Sequence, residues 1–159
     1  ARAPRVAEPE FVRTATESLA AQGVHTLLVQ FTDVHGVAKG KLVPLHQLGT
    51  VLATGAGFAG PSIWGTALGR SGPRAEYYAR GDASTLQALP WMPGVARLVG
   101  DGYVGGDAFD ACPRQVLRRA TGRLAERGWT LRTGIEPEFF LLKRDGARYV
   151  PADDADRLD

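Results

Sequence analysis

Cysteine is nearly missing from this chain: Cys112 is the single one among 159 residues. No disulfide can close within it, so a reducing compartment, the cytoplasm, is the default expectation. Cys112 precedes Pro113 and has no C-x-x-C partner, which suits a small packing residue better than a nucleophile. No apolar run approaches the ~20 residues that span a bilayer, and the N-terminus has no apolar signal-peptide core. Neither sign of charge dominates, since 19 Lys and Arg stand against 17 Asp and Glu. The basic residues are dispersed with no aromatic platform between them, so neither nucleic acid nor membrane is implied as a partner. Histidine is scarce: His25, His35 and His46 have no ligand-spaced company. Internal repeats and low-complexity segments are missing too.

What is present reads as a string of short elements. Glu8 to Gln22 has the pattern of a helix, with Pro9 in its first turn, Phe11, Ala15 and Leu19 on one face, and Gly23 at its cap. Val24 to Thr32 alternates as a strand, Asp33 to Gly36 forms a turn shaped by the Asp33 side chain, and Val37 to Val43 returns. On that return strand Lys39 and Lys41 share a face, read first as solvated and second as a contact to a neighbouring subunit. A short helix runs from Pro44 toward Gly55. Gly55 to Arg74 is glycine-rich and aperiodic, and a loop of that length is uncommon unless functional. Leu86 to Leu89 and Val95 to Gly100 suggest short strands, with turns around Asp101-Gly102 and Gly105-Gly106. Trp91 and Trp129 suit a core, and Trp64 either lines a pocket or anchors the long loop. This order predicts an α+β fold, a β-grasp domain over residues 1–107. From 108 a second domain begins: a helix from Pro113 to Arg127, with Arg118, Arg119 and Arg123 on its wet face, then a long strand over Trp129 to Lys143. One helix and one hairpin cannot build a second core, so the chain reads as the N-terminal part of a longer protein.

That last strand carries the richest motif, Gly134-Ile135-Glu136-Pro137-Glu138-Phe139-Phe140. Residues two apart on a strand share a face, so Glu136 and Glu138 project together, with Ile135 and Phe139 opposite. An E-x-E pair is most often a solvated face. Here the run continues through Leu141 and Leu142, too apolar for an exposed edge, and Pro137 marks an irregular strand position. Paired carboxylates in apolar surroundings are costly unless they hold a cation, so a divalent-metal site is the alternative.

Taken together, several segments resemble the glutamine synthetase family. Phe31 to Gly36 with Lys39, Lys41 and Pro44 is similar to its first hairpin. Phe58-Ala59-Gly60-Pro61-Ser62-Ile63 resembles the loop written F-D-G-S-S-I, Asp82-Ala83-Ser84-Thr85 resembles the D-x-S-T after it, and the Glu136 strand resembles the one that opens the catalytic domain. Each is weak alone; their order is specific. The resemblance implies an ATP-dependent ligase that joins glutamate to an amine through a γ-glutamyl phosphate. It implies Mg²⁺ or Mn²⁺ held by Glu136 and Glu138 with further ligands downstream, ATP as co-substrate, and a homo-oligomeric ring, a dodecamer. In that ring Phe58, Ala59, Gly60, Ser62, Trp64 and Glu76 would form an amine loop serving the neighbouring subunit.

One departure bears on the substrate. The family loop carries an aspartate where this chain has Ala59, and alanine neither holds ammonium nor accepts its proton. A small alkylamine such as methylamine is therefore expected over ammonia. The Ala59 loop, Leu89 to Arg97 and Pro151 to Asp153 resemble the type III and γ-glutamylmethylamide synthetase branch. An ammonia-using glutamine synthetase is the alternative, and a non-catalytic relative of the same fold is the rival of another class. This stretch by itself is expected to be inactive, and no catalytic residue is assigned within it.

Overall fold

The computed structural model describes residues 8–63, 65–72 and 74–153. Helix α1 (Pro9–Ala21) leads into strands β1 (Thr26–Thr32) and β2 (Ala38–Pro44), and a 3-10 turn precedes α2 (Leu48–Ala53). Strands β3 (Ala56–Ala59), β4 (Glu76–Gly81), β5 (Gln87–Ala88), β6 (Val95–Val104) and β7 (Asp107–Ala108) follow, then α3 (Pro113–Ala125) and the hairpin β8 (Leu142–Asp145) and β9 (Arg148–Pro151).

The main sheet runs β2-β1-β6-β4-β3, with β5 and β7 also paired to β6. Strand β6 is the hub because its 10 residues serve two long neighbours and two short ones. Val95 to Val99 pair parallel to β1, and Gly100 to Tyr103 pair antiparallel to β4. The small residues of the second half allow close strand approach. A Cβ at Gly102 would fall 2.3 Å from the Tyr77 hydroxyl, and one at Gly100 would fall 2.8 Å from the Ala79 Cβ.

The sheet is rolled rather than flat. Strands sit ~4.8 Å apart, so β2 and β3, four places apart, would be separated by roughly 19 Å on a plane. Instead Lys41 on β2 donates to the Gly57 carbonyl on β3. Phe31 of β1 meets Phe58 of β3 at 4.9 Å and Tyr77 of β4 at 4.7 Å between ring centroids. Alternation along β1 sends Leu27, Val29 and Phe31 into this interior. Leu19 of α1 and Leu48, Val51 and Leu52 of the α2 segment cover it. The Asp33 turn closes as its sequence implies: Asp33 Oδ1 accepts from the His35 and Val37 amides at 2.9 and 3.0 Å.

Several expectations need correction. The aperiodic stretch after Gly55 holds β3, and Glu76 to Gly81 forms β4, whose Tyr77, Ala79 and Gly81 turn inward. Glycines at 57 and 81 dilute the alternation that would have revealed both strands. Asp101-Gly102 is mid-strand rather than a turn, since the buried Asp101 is neutralised by arginines from α3. For the same reason Arg118 is no solvated residue. Trp91 and Trp129 are 73% and 61% exposed and belong to no core among the described residues. Strand structure in the C-terminal part starts at Leu142, so residues 129–141 are not the long strand their pattern suggests. No described strand pairs with them, and Ile135, Phe139 and Phe140 stand exposed. An apolar strand takes its ladder and its packing from neighbours.

Candidate functional site

Ala59, Ser62 and Glu76 come together around one open depression of roughly 500 Å³, completed by Pro61, Arg70 and Ala75. Antiparallel pairing sets Ala59 opposite Glu76. The Glu76 carboxylate accepts the Tyr78 hydroxyl, and that bond raises the Tyr78 pKa above its ordinary value. The rim is thus mostly small and apolar, with one carboxylate, one guanidinium and one hydroxyl.

The other two described loop residues do not line it. Phe58 packs inward against Phe31. Gly60 is buried beneath the loop, where a Cβ would lie 2.7 Å from the Ala75 carbonyl and 2.5 Å from the Leu68 side chain. Trp64 lies outside the described residues. Internal bonds hold the loop in shape. Gly60 N–H donates to Ala75 O at 2.9 Å, and the Thr66 hydroxyl lies 2.9 Å from both Gly60 O and Ile63 O. Gly65 has a φ of +79°, and a Cβ there would sit 2.4 Å from Val34 Cγ2. The loop therefore leans directly on the β1–β2 turn.

Glu136 and Glu138 are both exposed in the extended segment between α3 and β8. Among the described residues no group of three or more His, Cys, Asp or Glu side chains gathers as a metal site. Their chemistry fits a hard divalent cation, because carboxylate oxygens suit Mg²⁺ and Mn²⁺. Two carboxylates supply only part of an octahedron, so further donors are required.

Sequence reasoning missed a third cluster. Asp82 Oδ2 lies 2.6 Å from both Arg114 Nη2 and Arg118 Nη2, and Asp101 meets Arg114 Nε at 3.3 Å and Arg118 Nη2 at 3.0 Å. The i, i+4 spacing of the arginines puts both on one face of α3. The D-x-S-T segment is the other half of this clamp. Asp82 Oδ1 accepts from Ser84 N and Oγ, while Thr85 Oγ1 donates to Asp82 O and accepts from Val99 N. The arginine pair was the available signal; its acidic partners lie too far away in sequence to be matched by pattern.

The glutamine synthetase catalytic-domain family model matches residues 110–156. Glutamate–methylamine ligase of Methyloversatilis universalis is 44% identical over 144 residues, which is 91% of this chain and 32% of that protein. Glutamine synthetase of Rhizobium meliloti is 33% identical over 127 residues, 80% of this chain and 28% of the relative. A solved structure of GmaS in complex with ADP superposes with a TM-score of 0.63 at 34% identity, over 71% of this chain and 26% of that one. The chain spans about a third of the length of these curated relatives. No helix among the described residues is long and apolar enough to cross a membrane. The chain belongs to the glutamine synthetase family.

Proposed function

We propose that the full-length protein is an ATP-dependent ligase that forms a γ-glutamyl amide from glutamate and a small alkylamine, methylamine or similar. The observation that carries the substrate choice is Ala59, set among Pro61, Ala75 and Ser62 in the depression. A methyl side chain there adds apolar surface where an aspartate would have added a charge and a proton acceptor. A methyl-bearing amine gains from that surface, whereas ammonia gains nothing. The 44% identity to a glutamate–methylamine ligase supports the same reading.

In the proposed reaction the γ-carboxylate oxygen of glutamate attacks the terminal phosphorus of ATP, and ADP leaves. The amine nitrogen then attacks the acyl carbon, phosphate leaves, and nitrogen loses a proton to a base other than Ala59. Glu136 and Glu138 would hold divalent cations, which when bound offset negative charge on phosphoryl oxygens. The rolled sheet would be a β-grasp domain ending near residue 107, with the catalytic domain starting at 108. Its depression would face a neighbouring subunit of a cytoplasmic ring, a dodecamer, with Phe58 and Gly60 shaping the loop. An ammonia-using glutamine synthetase is the second reading, favoured by Ser62 and Glu76, which leave polar groups at the rim.

Phosphate release by the full-length protein with glutamate, ATP and a panel of amines tests the proposal. Methylamine is expected to exceed ammonia in kcat/KM by at least about tenfold, the worth of one well-placed methyl. Preference for ammonia would overturn the substrate choice, and no release with any amine would favour a non-catalytic relative.

A further inference from the structure

We propose that Lys41 is a positioning residue for the amine loop: it holds β3, and with it Ala59, from the far side of the rolled sheet. The inference rests on the reading that Ala59 and Ser62 face the amine, and it adds to that site a residue from another strand.

Strand β3 is the last of the sheet and only four residues long. One of its edges pairs with β4, and among the described residues no strand pairs with the other. An edge carbonyl without a strand beside it is left to water or to a side chain. At Gly57 the partner is the Lys41 ammonium. The same ammonium lies 5.2 Å from the centroid of the Phe58 ring, within cation–π range. Lys41 therefore touches two successive residues, and the next in the chain is Ala59. Past Ala59, the Gly60 amide is tied to the Ala75 carbonyl. Ala59, paired with Glu76 of β4 on one edge, is thus flanked along the chain by two further anchors, one supplied by the loop itself and one by β2.

The contact also explains a lysine that periodicity alone assigns to solvent. Lys41 pairs with Val29 of β1 across the hairpin, and only the roll of the sheet brings its amine to β3. An amine nitrogen attacking an acyl phosphate must be aligned closely, and a displacement of ~1 Å can cost up to about a hundredfold in rate. Loosening β3 moves the wall against which the amine rests and leaves the Glu136 and Glu138 segment untouched. The effect falls on the amine and spares ATP and glutamate.

In the full-length protein, Lys41→Met is expected to raise the KM for methylamine about tenfold, with the KM for ATP and for glutamate within roughly twofold of wild type. Lys41→Arg can still donate to the Gly57 carbonyl and lie over Phe58, and is expected to stay within about threefold. Amide exchange over residues 57–63 should quicken about tenfold in Lys41→Met and stay unchanged in Lys41→Arg. An unchanged methylamine KM, a parallel rise in all three KM values, or an arginine variant that behaves like methionine overturns the proposal. A wild type that releases no phosphate with any amine sinks the ligase reading itself. The exchange result then separately upholds or overturns Lys41 as the residue that fixes β3.

Discussion

Glu138→Gln in the full-length protein is expected to lower amine-dependent phosphate release about a thousandfold, read as kcat/KM under saturating Mg²⁺. The amide keeps the shape of the side chain and one carbonyl oxygen, but it removes the negative charge that a hard cation selects. Loss of a bound divalent ion is worth several kcal/mol of transition-state stabilisation, and ~4 kcal/mol corresponds to about three orders of magnitude. Glu138 is exposed here. The substitution should therefore leave the stability of the rolled sheet unchanged, and a thermal melt equal to wild type separates a functional loss from misfolding. Activity within about tenfold of wild type would remove Glu138 from the metal site.

The second large effect is expected at the base of α3. Asp101→Ala should lower the unfolding free energy by about 3 kcal/mol, measured as a shift of the urea midpoint at constant m. Asp101 is 2% exposed and is bonded to both Arg114 and Arg118. Its removal leaves two guanidiniums facing a buried gap. The lower end of the ~3–5 kcal/mol range applies, because the arginine side chains are 28% and 36% exposed and keep Asp82 as a partner. A change under ~1 kcal/mol would show that the clamp adds little beyond its own desolvation cost.

Acid should weaken the same clamp. Burial pushes the Asp82 carboxyl up, but the hydrogen bonds from Ser84 and Arg118 and the charge of Arg114 outweigh it and hold the pKa below the ordinary carboxylate value. Asp33 is likewise held low: burial opposes, and the Val37 and His35 amides with Lys39 prevail. A carboxyl depressed in the folded state adds stability that is complete above its unfolded pKa of ~4 and is lost as pH falls through the folded value. These two groups therefore contribute fully at neutral pH, and stability should decline below about pH 4.

The sequence was legible where a single local rule decided the outcome. Pro9 and Gly23 bracket α1, Pro113 opens α3, and Asp33 shapes a tight hairpin turn. The carboxylate motif and the loop were identifiable because residue type and order suffice for a resemblance. What stayed hidden depends on residues distant in the chain. β3 and β4 carry glycines at 57 and 81; at Gly81 the Leu98 side chain lies 2.2 Å from where a Cβ would stand, and no periodicity encodes that. Asp101 looked like a turn residue because its neutralising arginines come from a helix that follows it by more than ten positions. Lys41 looked solvated because its acceptor lies across a roll that a strand pattern does not contain. The 129–141 segment shows the converse: its apolar alternation is a strand signal, yet strand structure requires neighbours to pair with.

Glu136 and Glu138 are proposed to hold divalent cations. Counting Mn²⁺ bound per chain of the full-length protein, by electron paramagnetic resonance of the free ion with a non-hydrolysable ATP analogue present, tests it most directly. Glu136→Gln and Glu138→Gln are each expected to bind one ion fewer than wild type. Wild-type stoichiometry and affinity in both variants would contradict it.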